Sequence, residues 1–196
     1  MNPQRFTELF ALTFRDPAAA MAELRKLDLS MESRWMLLLL TVSLNTLLTG
    51  FVNSVLMPLP DDVMLGAFRQ PLFIAALQFV ALALSAGLIA WVGRLFGGEG
   101  DFPDALLVMG WFELVIFVIQ AVGVVIVLIL PPFGGVFFLL TVAAAIYLSV
   151  GLIRALHGFS NSLLVLFGMM GTMFVVAVIL SILGLALGIL PEMPNQ

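Results

Sequence analysis

The sequence predicts an all-α fold: a polytopic integral membrane protein with five transmembrane helices, preceded by short amphipathic helices. Three observations predict it. First, 62% of the 196 residues are hydrophobic, 10% are charged and the mean hydropathy is +1.18. A soluble domain runs near half apolar and about a quarter charged. Second, five apolar runs reach the ~20 residues that a helix needs to cross the hydrocarbon layer. Third, each run stops at a Pro or Gly signal, where helices break. The segments between the runs are short, so no sizeable soluble domain fits beside them.

Residues 1–30 read as a cytoplasmic amphipathic helical arm. Arg5, Glu8, Arg15, Asp16, Glu23, Arg25, Lys26 and Asp28 interrupt its apolar positions, which is not the pattern of a secretory signal. Phe6, Leu9, Phe10 and Phe14 fall at i, i+3, i+4 and i+8, one face of a helix. Asp16-Pro17 then ends that helix and starts another, since Asp is a favoured N-cap and Pro a favoured first helical residue. Met21, Leu24 and Leu27 share a face of the second helix. Two readings stand for the Phe6, Leu9, Phe10 and Phe14 face. It lies on the membrane surface, or the hairpin packs on its own bundle.

A membrane domain is expected over 31–190, followed by a short external tail, 191–196. Its first span, 35–57, follows Ser30, an N-cap residue, and stops at Pro58-Leu59-Pro60. The second, 71–96, stops at Gly97-Gly98; the third, 103–130, stops at Pro131-Pro132. The fourth, 133–156, stops at Gly158, and the fifth, 162–190, stops at Pro191. The third and fourth runs are nearly continuous, but one helix of that length does not fit a ~30 Å hydrocarbon layer, so the chain must fold back at the two prolines. With five spans, Arg5, Arg15, Arg25, Lys26, Arg34, Arg94 and Arg154 fall on one side and Arg69 on the other. Lys and Arg favour the cytoplasmic side, so the N-terminus is expected inside and the C-terminus outside.

Composition excludes several chemistries. There are no cysteines and one histidine, which rules out disulfides, thiolate zinc sites and multi-histidine metal sites. A net charge of −4 argues against nucleic acid as a partner. No cofactor is expected. The glycine-rich turn Gly97-Gly98-Glu99-Gly100-Asp101 resembles a phosphate loop only superficially. A phosphate site needs backbone donors and usually a cation, and this turn carries acids. Asp101 reads instead as the cap of the third span, with Asp104 in its first turn.

Glu113 is the most informative residue. It lies about 15 Å into the third span at the helical rise, where an ionisable group costs ~3 kcal/mol or more and faces the bundle interior. Gln120 follows on the same helical face, Gln78 lies in the second span and Asn45 in the first. These four are a candidate intramembrane polar network. It serves a proton or solute pathway or a lipid head-group pocket, or it is hydrogen-bonding glue between helices. Arg94, Arg154 and His157 close the second and fourth spans, with Gly158 and Ser160 following. His157 either pairs with Glu99 or Asp101 or snorkels to the interface. Ser160 reads as a helix cap rather than a nucleophile, and nothing else supplies a Ser–His dyad or a metal cluster, so no enzyme is expected. Gly93 with Gly97, and Gly184 with Gly188, have the spacing of four that lets helices approach closely in lipid.

The pattern resembles the Yip-one domain family, the Ypt/Rab-interacting membrane proteins and their bacterial relatives. The resemblance covers roughly residues 30–190. It rests on the five-span arrangement and on the turn Gly97-Gly98-Glu99-Gly100-Asp101-Phe102 leading into Ala105-Leu106 and Gly110-Trp111. Gly158-Phe159-Ser160 is similar to the Gly-Tyr-Ser that opens the last helix of eukaryotic members. The Asp-Leu-Tyr-Gly-Pro-type motif of those members is missing and the arm is shorter, so the chain looks like a bacterial member, which implies the inner (cytoplasmic) membrane, and a Rab-type GTPase is not the expected partner. The resemblance implies a non-enzymatic membrane scaffold or adaptor, working with membrane lipid and with another membrane protein or a second copy of itself. The residues alone leave open a small transporter, channel or lipid-handling protein centred on Glu113.

Overall fold

A computed structural model describes residues 2–55 and 70–186. The arm is a helical hairpin. Helix α1 (Pro3–Arg15) is capped by Asn2, whose Oδ1 accepts from Arg5 N–H at 2.8 Å. Asp16 caps α2 (Pro17–Arg25), its Oδ1 accepting from the N–H groups of Ala18 and Ala19 at 3.0 Å each. Pro17 at the first helical position sacrifices no hydrogen bond.

Five long helices follow. Helix α3 (Met31–Val55) starts under Ser30, whose Oγ accepts from Ser33 N–H at 3.3 Å. Helix α4 spans Pro71–Leu95, and α5 spans Phe102–Ile129 with Asp101 as its cap, accepting from Asp104 N–H at 2.8 Å. At the two prolines the chain folds back through a 3-10 turn, Pro131–Phe133, into α6 (Gly134–His157). Helix α7 spans Ser162–Ala186. All five are long and apolar enough to cross a membrane, and no strand occurs among the described residues. The outer end of the first span, Pro58-Leu59-Pro60, Arg69, Gly188 and the Pro191 stop lie outside the described residues, and Gly184 falls within α7.

Two local expectations need correction. Ser160 is exposed and does not cap α7; Asn161 does, its Oδ1 accepting from Leu163 and Leu164 N–H at 2.9 and 3.3 Å. Both residues have cap chemistry, and the geometry selects the one directly ahead of the first helical turn. Gly93 and Gly97 do not form one packing face, because α4 ends at Leu95. Gly97 sits in the turn at φ +82° with open space around it.

Helix α5 is central, packing on α3, α4 and α6, while α7 packs on α6. The buried side chains cluster toward the arm end of the bundle: Leu38, Ala86, Ala90, Leu106, Trp111, Leu152 and Leu156. Lipid tails are as apolar as these side chains, so close packing rather than water exclusion holds the helices together. The arm is different, because it lies outside the spans. Leu9, Met21 and Leu24 are buried against the bundle, and Phe6, Phe10 and Phe14 pack half-buried on the same cluster. Of the two readings of the arm, the hairpin packed on its own bundle is the arrangement observed. Burying each large apolar side chain there stabilises by about 1.5–3 kcal/mol.

Candidate functional site

Among the described residues, the ion pairs that join different helices meet at the arm end, and Asp104 is their centre. The Asp101 cap fixes the first turn of α5 and with it the Asp104 carboxylate. One oxygen accepts from Arg25 Nε of α2 at 2.7 Å and the other from Arg34 Nη1 of α3 at 3.0 Å. Each guanidinium has a second task. Arg25 Nη2 donates to Leu156 O at 3.2 Å, and Arg34 Nε donates to Leu29 O at 2.9 Å. One carboxylate thus ties the arm, α3, α5 and the end of α6 together. Charge-assisted bonds of this kind are about twice as strong as neutral ones. The Arg34 and Asp104 side chains are only 12% and 18% exposed, whereas that of Arg25 is 44% exposed.

Two further bonds seat α1. Trp111 Nε1 donates to Thr13 Oγ1 at 3.0 Å, with both residues buried, and Thr13 Oγ1 in turn donates to Leu9 O at 2.7 Å. The Phe6 ring meets the Trp111 indole edge-on at 5.7 Å. On α6, Tyr147 Oη donates to Phe14 O at 3.0 Å, and Gly151 lies against the Pro17 ring, so closely that any Cβ would collide with it.

His157 neither pairs with Glu99 or Asp101 nor snorkels. It is buried in a wall of glycines, where a Cβ on Gly93, Gly98 or Gly100 would intrude on the imidazole. Gly100 N–H donates to Nδ1 at 3.1 Å, and Nε2 faces Ile89 O at 3.1 Å. An accepting Nδ1 and a carbonyl opposite Nε2 specify the neutral tautomer protonated on Nε2. Glu99 meets this residue through backbone instead, its N–H donating to His157 O at 3.3 Å. Asp101 is committed to its cap. Arg94 Nε donates to Gly100 O at 3.0 Å, closing the same turn, and Arg154 Nη1 donates to Ser162 Oγ at 3.1 Å. Gly158 ends α6 in the left-handed conformation at φ +72°, which glycine adopts without steric cost.

Deeper in the bundle the four-residue network reduces to a pair. Asn45 Nδ2 donates to Glu113 Oε2 at 3.0 Å, joining α3 to α5. Gln120 shares the helical face of Glu113 but is exposed, because the core of α5 is continuous only to Ile116 and returns at Gly123 alone. Gln78 is half-buried and hydrogen-bonds to neither partner. Asn45 Oδ1 and Thr46 Oγ1 are buried without a hydrogen-bond partner among the described residues. Among the described residues, no three of His, Asp and Glu converge as metal ligands.

Asp104, Arg25, Arg34 and Thr13 escape sequence reasoning as a group. Asp104 reads there only as a first-turn acid, and the cationic residues only as an orientation signal. The one hint is that all of them border helix ends expected on one side of the membrane.

A family model described as the Yip1 domain matches residues 11–189. No curated protein and no solved structure matches the chain.

Proposed function

The chain belongs to the Yip1 domain family and is a multi-pass membrane protein, and from that premise we propose that it is a non-enzymatic scaffold or adaptor that assembles a membrane complex. The observation that carries this reading is the docked arm. Asp104, Thr13 and Tyr147 hold α1 and α2 against the bundle, which makes the hairpin a preformed surface rather than a tether. Arg5, Glu8, Arg15 and Lys26 are exposed on it. A rigid surface loses less conformational freedom on binding than a flexible one, so more of its contact energy becomes affinity.

In this reading the arm end faces the cytoplasm of a bacterial cell and the C-terminus lies outside. Seven of the eight Lys and Arg residues belong to the arm end, in keeping with the preference of cationic residues for the inner side. The partner is another membrane protein or a second copy of the chain, with membrane lipid around both.

The test is co-purification of the tagged full chain in mild detergent, with wild-type and Arg5→Glu/Arg15→Glu proteins compared by mass spectrometry. The two substitutions change the outward face and leave the docking residues in place. A stoichiometric partner that is lost in the variant, and that rebinds purified wild-type protein alone, supports the adaptor. Recovery of the same material from both proteins removes the arm from the account.

A further inference from the structure

A cavity of about 970 Å³ lies between α4, α5, α6 and α7. Its size falls at the upper end of ordinary ligand sites, ~300–1,000 Å³, and its walls are almost entirely aliphatic and aromatic. Among the described residues, four polar side chains reach it: Ser85, Glu113, Ser149 and Thr172. Their hydrogen bonds decide what the cavity can hold. Ser85 Oγ donates to Ala81 O at 2.8 Å, Ser149 Oγ to Ile146 O at 3.0 Å and Thr172 Oγ1 to Gly168 O at 2.8 Å. In this arrangement each hydroxyl donates to its own helix and turns lone pairs toward the cavity. Glu113 Oε2 is engaged by Asn45, while Oε1 has no hydrogen-bond partner among the described residues.

Among the described residues the polar lining is therefore mainly oxygen, and its one ionisable group is the Glu113 carboxyl, whose Oε1 is free to take a ligand. A primary ammonium supplies three donors and the opposite charge, and a single hydrocarbon chain suits the apolar walls. We propose that the cavity between α4 and α7 is a binding site for a lipophilic primary amine, with Glu113 as its anchor and the hydroxyl oxygens as further acceptors. This site is distinct from the arm surface, so its failure leaves the adaptor reading where it stands.

The test uses the full chain in phosphatidylcholine nanodiscs and a photoactivatable diazirine derivative of hexadecylamine, with labelled peptides mapped by mass spectrometry. Labelling is expected on α5 and α7 and is competed by dodecylamine but not by dodecanoic acid. Glu113→Gln keeps the shape and the Asn45 bond but loses the charge, and is expected to reduce labelling about tenfold or more. Gly168→Phe fills the cavity from α7, where the glycine has open space beside it, and is expected to abolish labelling without touching the Asn45–Glu113 pair. Competition by dodecanoic acid equal to that by the amine overturns the proposal. So does labelling that survives Gly168→Phe at the wild-type level, a result that decides the matter even if Glu113→Gln does not fold.

Discussion

The indole N–H of Trp111 donates to the hydroxyl oxygen of Thr13 across 3.0 Å, joining the third membrane span to the first helix of the chain. Thr13 has no exposed surface and Trp111 almost none, so water cannot replace either partner. Thr13→Val keeps the shape and removes the acceptor. It is expected to destabilise the protein by about 1–3 kcal/mol, the cost of a buried donor left without a partner. The double variant Thr13→Val/Trp111→Phe is expected to cost less than the two single changes summed. Thermal unfolding in detergent across the four proteins of this cycle measures the coupling, and strictly additive losses would remove the bond from the account.

The two arginines on Asp104 differ in exposure, and their worth should differ with it. Arg25→Ala breaks a partly exposed pair and is expected to cost about 0.5–1 kcal/mol. Arg34→Ala removes the better shielded of the two partners, with an expected loss of roughly 1.5–3 kcal/mol. Asp104→Asn, which weakens both pairs at once, is expected to exceed Arg25→Ala and to expose residues 26–30 to limited proteolysis. The opposite ranking of the two arginine variants would contradict the geometry.

The glycine wall around His157 predicts a rescue. Gly93→Ala drives a methyl group into the imidazole, and overpacking of this kind costs about 1–3 kcal/mol. His157→Ala alone loses two hydrogen bonds and opens a void. Because the alanine methyl occupies part of that void, Gly93→Ala/His157→Ala is expected to be more stable than the sum of its single losses. Melting temperatures of the three variants measure this, and losses that simply add would show that the two residues do not meet.

Glu113 and Asn45 bridge α3 and α5. Glu113→Gln preserves an acceptor for Asn45 and is expected to change stability by less than about 1 kcal/mol, whereas Glu113→Leu strands the Asn45 amide and costs about 1–3 kcal/mol. Equal losses in the two variants would mean that charge, not hydrogen bonding, holds the pair.

Much of the fold is legible in the sequence because it is written locally. Apolar runs of spanning length give α3 to α7, and Asp16-Pro17 and Asp101 announce caps that the structure contains. Glu113 is legible because burying an ionisable group in a membrane is costly enough to demand a partner. The bonds that Asp104 and Trp111 make to the arm and α3 are not legible in the same way. Asp104 lies 79 residues from Arg25 and 70 from Arg34, and Trp111 lies 98 from Thr13. Helical periodicity says which face a residue occupies and nothing about which distant element covers that face. Gln120 illustrates the limit: it repeats the face of Glu113 two turns on, where that face is no longer covered. The lone histidine and the three glycines that enclose it also come from separate helices and a turn, so their complementarity exists only after folding.

The docked arm is the element on which the rest depends, and a cysteine pair tests it most directly. The chain has no native cysteine. Pro17 Cβ lies 2.9 Å from the place where a Cβ on Gly151 would sit, nearer than the ~3.8 Å of a disulfide, so a small outward shift allows the bridge. Membranes carrying Pro17→Cys/Gly151→Cys are treated with a mild oxidant and the chain is cleaved between the two sites. The docked arm predicts rapid, near-complete cross-linking within one chain, slowed by Asp104→Ala, and none in an Arg5→Cys/Gly151→Cys control. Failure of the first pair to cross-link, or equal cross-linking of the control, would contradict an arm held on the bundle.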